Sequence, residues 1–176
     1  MRGLVFAVCV MAGTASAQEP GMPEIDPLVL ETCRENASQP AEQGDDADAE
    51  SCIGVAAARC MEEEGGYSTA GMSHCTMQER DLWDRYLNDV YRAVMQAAEE
   101  ADRINADADP AAPKQVPLLK EMQRDWIAFR DSSCAFERSI WGSGTGAATA
   151  TANCLLSMTA QQTIRLERHR DRGDAG

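Results

Sequence analysis

The stretch from Met72 to Ile104 constrains the fold more than any other part of the chain. Its large apolar residues recur every three or four positions, as they do on one face of an amphipathic helix. These apolar positions are Leu82, Trp83, Tyr86, Leu87, Val90, Tyr91, Val94, Met95 and Ala98. An unbroken helix of this length would measure about 50 Å, so its apolar face needs other helices along it. We therefore expect the flanking segments to supply those helices.

Three further helices are predicted from composition and periodicity. One, from Glu50 to Glu63, is rich in alanine and ends before Gly65-Gly66. A third covers about Val116 to Trp141, and a last one covers about Ala148 to Arg168. No stretch alternates apolar and polar residues for long enough to form a strand. The sequence therefore predicts an all-α fold of antiparallel helical hairpins, with about four main helices.

The last two predicted helices also show which residues we expect in the core. In the third helix the stripe consists of Leu119, Met122, Trp126, Phe129, Ser133, Phe136 and Ile140. In the last helix it consists of Cys154, Leu155, Met158 and Leu166.

The beginning of the chain has the features of a signal peptide. Arg2 precedes the short apolar run Leu4 to Ala12, and Ala15-Ser16-Ala17 gives the small residues that a signal peptidase requires. The run has roughly half of the 20 apolar residues that a membrane span needs. We therefore expect removal of residues 1–17, a periplasmic or secreted protein, and no membrane span.

The mature chain divides into three parts by composition. Residues 18–49 are expected to form an acidic N-terminal extension with a short helix at Leu28 to Glu35 and a polar loop. Residues 50–169 hold the predicted helical domain. Residues 170–176 are predicted to be a disordered tail.

Six cysteines remain once Cys9 leaves with the signal peptide. An even number in an exported chain predicts three disulfides. Cys60 and Cys75 would face each other across the first helical hairpin, and Cys134 and Cys154 across the second. Cys33 and Cys52 are then left to form the third pair. The expected pairs are Cys33–Cys52, Cys60–Cys75 and Cys134–Cys154. Each closes a loop of a size that stabilises a fold by about 3 kcal/mol.

The mature chain is strongly acidic. Residues 18–176 hold 15 basic and 29 acidic residues, a net charge of −14, and residues 18–67 contribute 13 of the acids but only two bases. Such a surface repels nucleic acid and attracts a basic protein. Solubility alone would also account for the charge.

The sequence offers no pattern typical of an enzyme. With all six cysteines oxidised there is no thiolate nucleophile, and no Gly-x-Ser-x-Gly element is present. The stretch Gly142 to Gly146 lacks the Lys-Ser/Thr ending of a phosphate-binding loop. We therefore predict a protein that is not an enzyme and needs no cofactor.

A copper(I) site is one alternative. Thioethers and an imidazole suit that ion, and Met61, Met72, His74 and Met77 lie close together in sequence. Methionine is also ordinary core filler, so we predict no metal site.

Several spaced motifs between residues 56 and 168 resemble the LprI-like lysozyme-inhibitor family. They are Met72-x-x-Cys75, Asp84-x-x-Leu87-Asn88-x-x-Tyr91, Gln123-x-x-Trp126-x-x-x-Arg130-Asp131-x-x-Cys134, and Cys154-x-x-x-Met158-Thr159 with Leu166. Trp83, next to the second motif, is expected to have a structural role with them. Gln162 stands where members of the family often have a basic residue, and the N-terminal third lies outside the resemblance. The resemblance implies a secreted helical protein that binds and inhibits lysozyme. A structural or envelope-stress protein is the alternative from another class, and the oligomeric state stays open.

Two candidate contact regions follow from that expectation. The turn Gly142-Ser143-Gly144-Thr145-Gly146 could project into the cleft that holds the catalytic carboxylates of lysozyme. The acidic N-terminal third could act through its charge instead. Arg130 and Asp131 could meet a partner, but we favour a structural role in which Arg130 pairs with Asp84 or a helix end.

Overall fold

The computed structural model describes residues 21–37 and 49–174. These ranges form five α-helices and one short 3-10 helix, with no strand among them, so the predicted all-α fold is confirmed. The helices are α1 Pro27–Ala37, α2 Val55–Met61, α3 Thr69–Ala108, α4 Gln115–Ile140 and α5 Ala147–Asp174, and the 3-10 turn is Ala49–Cys52. The predicted signal peptide lies outside the described residues.

Helix α3 is the axis of the molecule. It has 40 residues, which corresponds to about 60 Å. Its start is fixed by Ser68, whose hydroxyl accepts a hydrogen bond from the Gly71 N–H at 2.9 Å. This is the long helix that the periodicity predicts, extended by a few residues at each end.

Helix α5 lies parallel to α3, and the two helices begin at the same level. The Thr149 hydroxyl is 3.4 Å from the Thr69 carbonyl oxygen. Further along, the Thr163 hydroxyl is 3.2 Å from the Trp83 carbonyl oxygen. The chain reaches α5 through α4, which runs back antiparallel to both.

The residues that α5 buries differ from the predicted stripe. Leu155 and Met158 are only half-buried. The buried face holds Leu156, Ile164 and the predicted Leu166 together with the smaller residues Ala152, Thr159, Ala160 and Thr163. Since α3 already fills this part of the core with Leu82 and Trp83, small side chains on α5 let the two helices approach closely.

Helix α4 packs differently from the prediction as well. Leu119, Met122 and Trp126 lie against a buried cluster formed by α3 and α5. Phe129, Phe136 and Ile140 were expected in the core, and this expectation is wrong because all three are exposed. Cys134 is the one fully buried residue of α4, so the helix lies at the edge of the bundle.

Two predicted boundaries also change. The helix expected from Glu50 to Glu63 is interrupted at Gly54, whose φ of 95° suits glycine and ends the 3-10 turn before α2 starts. Helix α5 continues to Asp174, so the part of the expected disordered tail that is described is helical.

Three disulfides hold the helices together, and they join the pairs expected from the sequence. The Cα–Cα distances are 5.7 Å for Cys33–Cys52, 5.8 Å for Cys60–Cys75 and 5.5 Å for Cys134–Cys154. Within the described ranges, none of the helices has an apolar stretch of the length that crossing a bilayer requires.

Candidate functional site

Two disulfide-tied turns meet at one end of the bundle. Helices α3 and α5 start level with each other, as the Thr149–Thr69 contact shows. The turn that precedes α3, residues 62–68, and the turn that precedes α5, residues 141–146, therefore lie at the same end. We call this surface the turn end.

The first turn is acidic and exposed. Glu62, Glu63 and Glu64 follow α2 directly, and all three are exposed. Glu62 forms an ion pair with Arg59. Tyr67 in the same turn is 73% exposed. The Cys60–Cys75 disulfide closes the hairpin behind these residues, so the acids are held on a short, fixed loop.

The second turn is rich in glycine and is packed against its own tryptophan. Gly142 has a φ of 54°, a conformation that favours glycine. Gly146 lies under the Trp141 ring so closely that a Cβ there would be 2.4 Å from it. Ser143 and Thr145 are exposed at the tip, and Cys134–Cys154 joins the two helices below. The turn is thus both exposed and restrained.

The structure brings together parts of the two candidate regions that the sequence left as alternatives. Glu62 to Glu64 are the last acids of the acidic stretch of residues 18–67, and they share the turn end with Gly142 to Gly146. The acidic run Asp45 to Asp48 lies outside the described residues.

Most residues of the motifs that resemble the family either pack in the core or form hydrogen bonds within their own helix. Trp83 and Leu87 are buried, and Tyr91 and Trp126 pack against the cluster that α3 and α5 form. The Asn88 side-chain amide donates to the Asp84 carbonyl oxygen at 2.8 Å and to its carboxylate at 3.0 Å.

Arg130 does not pair with Asp84, which corrects one expectation. Its guanidinium lies 5.0 Å from the centre of the Trp126 ring and 2.8 Å from the Asp131 carboxylate. Arg130 and Trp126 are four residues apart on one helix, so the stacking is local and needs no second helix.

Glu79 is a buried residue that the sequence reasoning missed. Its carboxylate accepts hydrogen bonds from the N–H groups of Gly54 at 2.6 Å and Ala57 at 2.7 Å. The Trp83 indole donates a third at 3.1 Å. Glu79 therefore caps the start of α2 and fixes this helix to α3. Its position on the same face as Leu82 and Trp83 was the available signal.

A charged cleft lies beside α1 and α5. Arg34 forms an ion pair with Glu167 at 2.5 Å, and its guanidinium stacks on the Tyr86 ring at 3.8 Å. Burial raises the pKa of Glu167 above its usual value of 4.5, although Arg34 acts in the opposite direction. No local sequence pattern indicates this contact, because the two partners are 133 residues apart.

Two of the residues considered for a copper site do not share a face of α3. Met72 and His74 are two positions apart on α3, and such residues point to nearly opposite sides of a helix. The nearest charged group to the His74 ring is Glu24, at 3.8 Å. In the part of the chain that the structure describes, no cluster of His, Cys, Asp and Glu side chains has metal-binding geometry.

Comparison with known proteins identifies a family. The family model described as lysozyme inhibitor LprI matches residues 60–166. An uncharacterized protein of Rhizobium meliloti (strain 1021) is 29% identical over 100 residues, which is 57% of this chain and 72% of that protein. No solved structure gives a significant match. The matched region begins at Cys60 and includes both turns of the turn end.

Proposed function

The chain belongs to the LprI lysozyme-inhibitor family, and we propose that it is a periplasmic or secreted, non-enzymatic protein that inhibits lysozyme through the turn end. The observation that supports this proposal is the meeting of an acidic turn and a projecting glycine-rich turn, each tied by a disulfide. Both turns come from the region that the family model matches.

The two turns have complementary chemistry for such a target. The glycine-rich turn has no acidic residue between Trp141 and Ala147, so two catalytic carboxylates in a lysozyme cleft would not repel it. Ser143 and Thr145 supply hydroxyl groups that can donate hydrogen bonds to those carboxylates. Glu62, Glu63 and Glu64 lie to the side, where they would attract the basic surface of a lysozyme.

Because both turns are restrained, they are suited to tight binding in a lysozyme cleft. A loop that is already fixed loses little conformational entropy when it enters a cleft. The Cys134–Cys154 disulfide and the packing of Trp141 on Gly146 supply this restraint for the second turn.

The proposal is tested by cell-wall lysis with purified lysozymes of several types, measured as loss of turbidity with and without residues 18–176. Neutralising the acidic turn by Glu62→Gln, Glu63→Gln and Glu64→Gln should raise the half-inhibitory concentration by about tenfold at low salt and by less at moderate salt. The matched control removes three exposed acids from the far part of α3: Glu99→Gln, Glu100→Gln and Asp107→Asn.

The glycine-rich turn is tested separately. Ser143→Trp adds bulk at the exposed tip and should weaken inhibition at both salt concentrations. Ala111→Trp places the same side chain in the connector at the opposite end of the bundle and should change nothing. If both Ser143→Trp and the triple acid variant inhibit like the wild type, the turn end is the wrong site. If the folded protein inhibits no lysozyme, the function itself is refuted and a structural or envelope-stress role is favoured.

A further inference from the structure

An apolar stripe on α4 is left without a partner in the bundle. Leu118, Phe129, Phe136 and Ile140 are between 55% and 66% exposed. Their spacing places all four on one side of the helix, next to the face on which Trp126 packs against the core. Single exposed apolar residues need no explanation, but several of them on one side of a helix mark an interaction surface.

The stripe has a symmetric spacing. Leu118 and Ile140 each lie eleven residues from Phe129, and Met122 and Phe136 each lie seven residues from it. Eleven and seven residues correspond to about three and two helical turns, so each pair stays on the stripe. When a second copy is rotated by half a turn about Phe129, each of these apolar residues faces another apolar residue, and Met122 does so from the edge of the face that packs on the core. This is the property that a two-fold interface between identical chains requires.

The charge of α4 also fits a second copy. The helix has four basic and four acidic residues, whereas the mature chain as a whole has a net charge of −14. A neutral helix offers no attraction to a basic protein, and it lets two acidic chains approach with little repulsion. The small residues Ala128, Ser132 and Ser139 border the stripe and allow close contact between helices.

The area is in the range of a weak but specific dimer. The four stripe side chains, each more than half exposed, together present about 450 Å² of accessible surface per chain, since burial of one aromatic side chain removes about 150–250 Å². Two copies then bury about 900 Å², and neighbouring residues bring this close to the lower limit for specific interfaces.

We propose that α4 is a homodimer interface, in which two chains pack their α4 stripes antiparallel with Phe129 on the two-fold axis. Leu118 of one chain then meets Ile140 of the other, and Met122 meets Phe136. The two turn ends point in opposite directions and stay free. This inference does not depend on lysozyme binding.

The test is sedimentation equilibrium of residues 18–176 over micromolar to several hundred micromolar concentrations. A monomer–dimer equilibrium is expected, and added salt should strengthen it or leave it unchanged, because the contact is apolar and the chains carry like charge. Phe129→Glu places two carboxylates on the axis and should weaken dimerisation by at least about 100-fold. Because Phe129 is exposed, circular dichroism of this variant should match the wild type. The control Ile104→Glu makes the same change at an exposed residue of α3 and should dimerise normally.

A crosslinking experiment locates the interface. Replacing Phe129 with the photoreactive residue p-benzoylphenylalanine should give a crosslinked dimer whose adducts lie in α4, and the same replacement at Ile104 should not. Monomers at every concentration would overturn the proposal. So would dimers that Phe129→Glu leaves intact, or adducts within the same chain or outside α4.

Discussion

Replacement of Glu79 by glutamine tests how α2 is held on α3. All three partners of the Glu79 carboxylate are donors: the N–H groups of Gly54 and Ala57 and the Trp83 indole. A glutamine can keep one oxygen towards Gly54 and Trp83, but its amide NH₂ then faces the Ala57 N–H. That N–H lies in the interior and loses its only acceptor among the described contacts.

The expected cost follows from these contacts. A buried donor left without a partner costs about 1–3 kcal/mol, and the two remaining hydrogen bonds weaken because the acceptor has lost its charge. The free energy of unfolding should therefore fall by about 3–4 kcal/mol. For a chain of this size, that lowers the melting temperature by about 10 °C.

The assay is thermal and urea unfolding of the oxidised mature protein, followed by far-UV circular dichroism and by tryptophan fluorescence, since Trp83 contacts the altered group. Glu99→Gln is the matched control, because it makes the same chemical change at an exposed position on the same helix. A Glu79→Gln variant within about 0.5 kcal/mol of both the wild type and this control would refute the assigned role.

Two further predictions concern packing and pH. Gly71→Ala should lower the free energy of unfolding, measured in urea, by about 2–3 kcal/mol, because the new Cβ would be 2.1 Å from the Gly65 carbonyl oxygen and this clash outweighs the helix preference of alanine. The control Gly21→Ala places its Cβ in open space and should unfold like the wild type. Equal urea midpoints for the two variants would contradict this prediction. Burial raises the pKa of Glu167, so protonation of this carboxyl group favours the folded state. The protonated group contributes fully to the free energy of unfolding below about pH 4.5, and this contribution is lost as the pH rises through the raised pKa. The stability of the wild type relative to Glu167→Gln should therefore increase on acidification from neutral pH to about pH 4, and a pH-independent difference would refute the shift.

Local patterns in the sequence account for much of the architecture. The three- and four-residue spacing from Leu82 to Ala98 predicts α3, because a helix places such residues on one face whatever surrounds it. Gly65-Gly66 and Gly142 to Gly146 predict the two turns for a similar reason. The pairing Cys60–Cys75 follows from a short hairpin, which leaves few geometries for the disulfide.

The sequence predicted the stripe of α4 but not its surroundings. Periodicity shows that Trp126, Phe129 and Phe136 lie near one another on a helix, and it does not show how much of that face a neighbour covers. Helix α5 covers the Trp126 side and leaves Phe129 and Phe136 to solvent. The small residues of α5 were overlooked because burial of alanine and threonine depends on the size of the side chains opposite them.

By itself, the sequence determined the helical class, the principal helices and turns, and the three disulfides, because these depend on spacing along the chain. Only the tertiary structure decided that α5 starts level with α3, so that the acidic and glycine-rich turns share one end. It also decided that Glu79 accepts hydrogen bonds at the start of α2 and that Arg34 pairs with Glu167. These features depend on which helix faces lie together in space, and local residue spacing does not specify that arrangement.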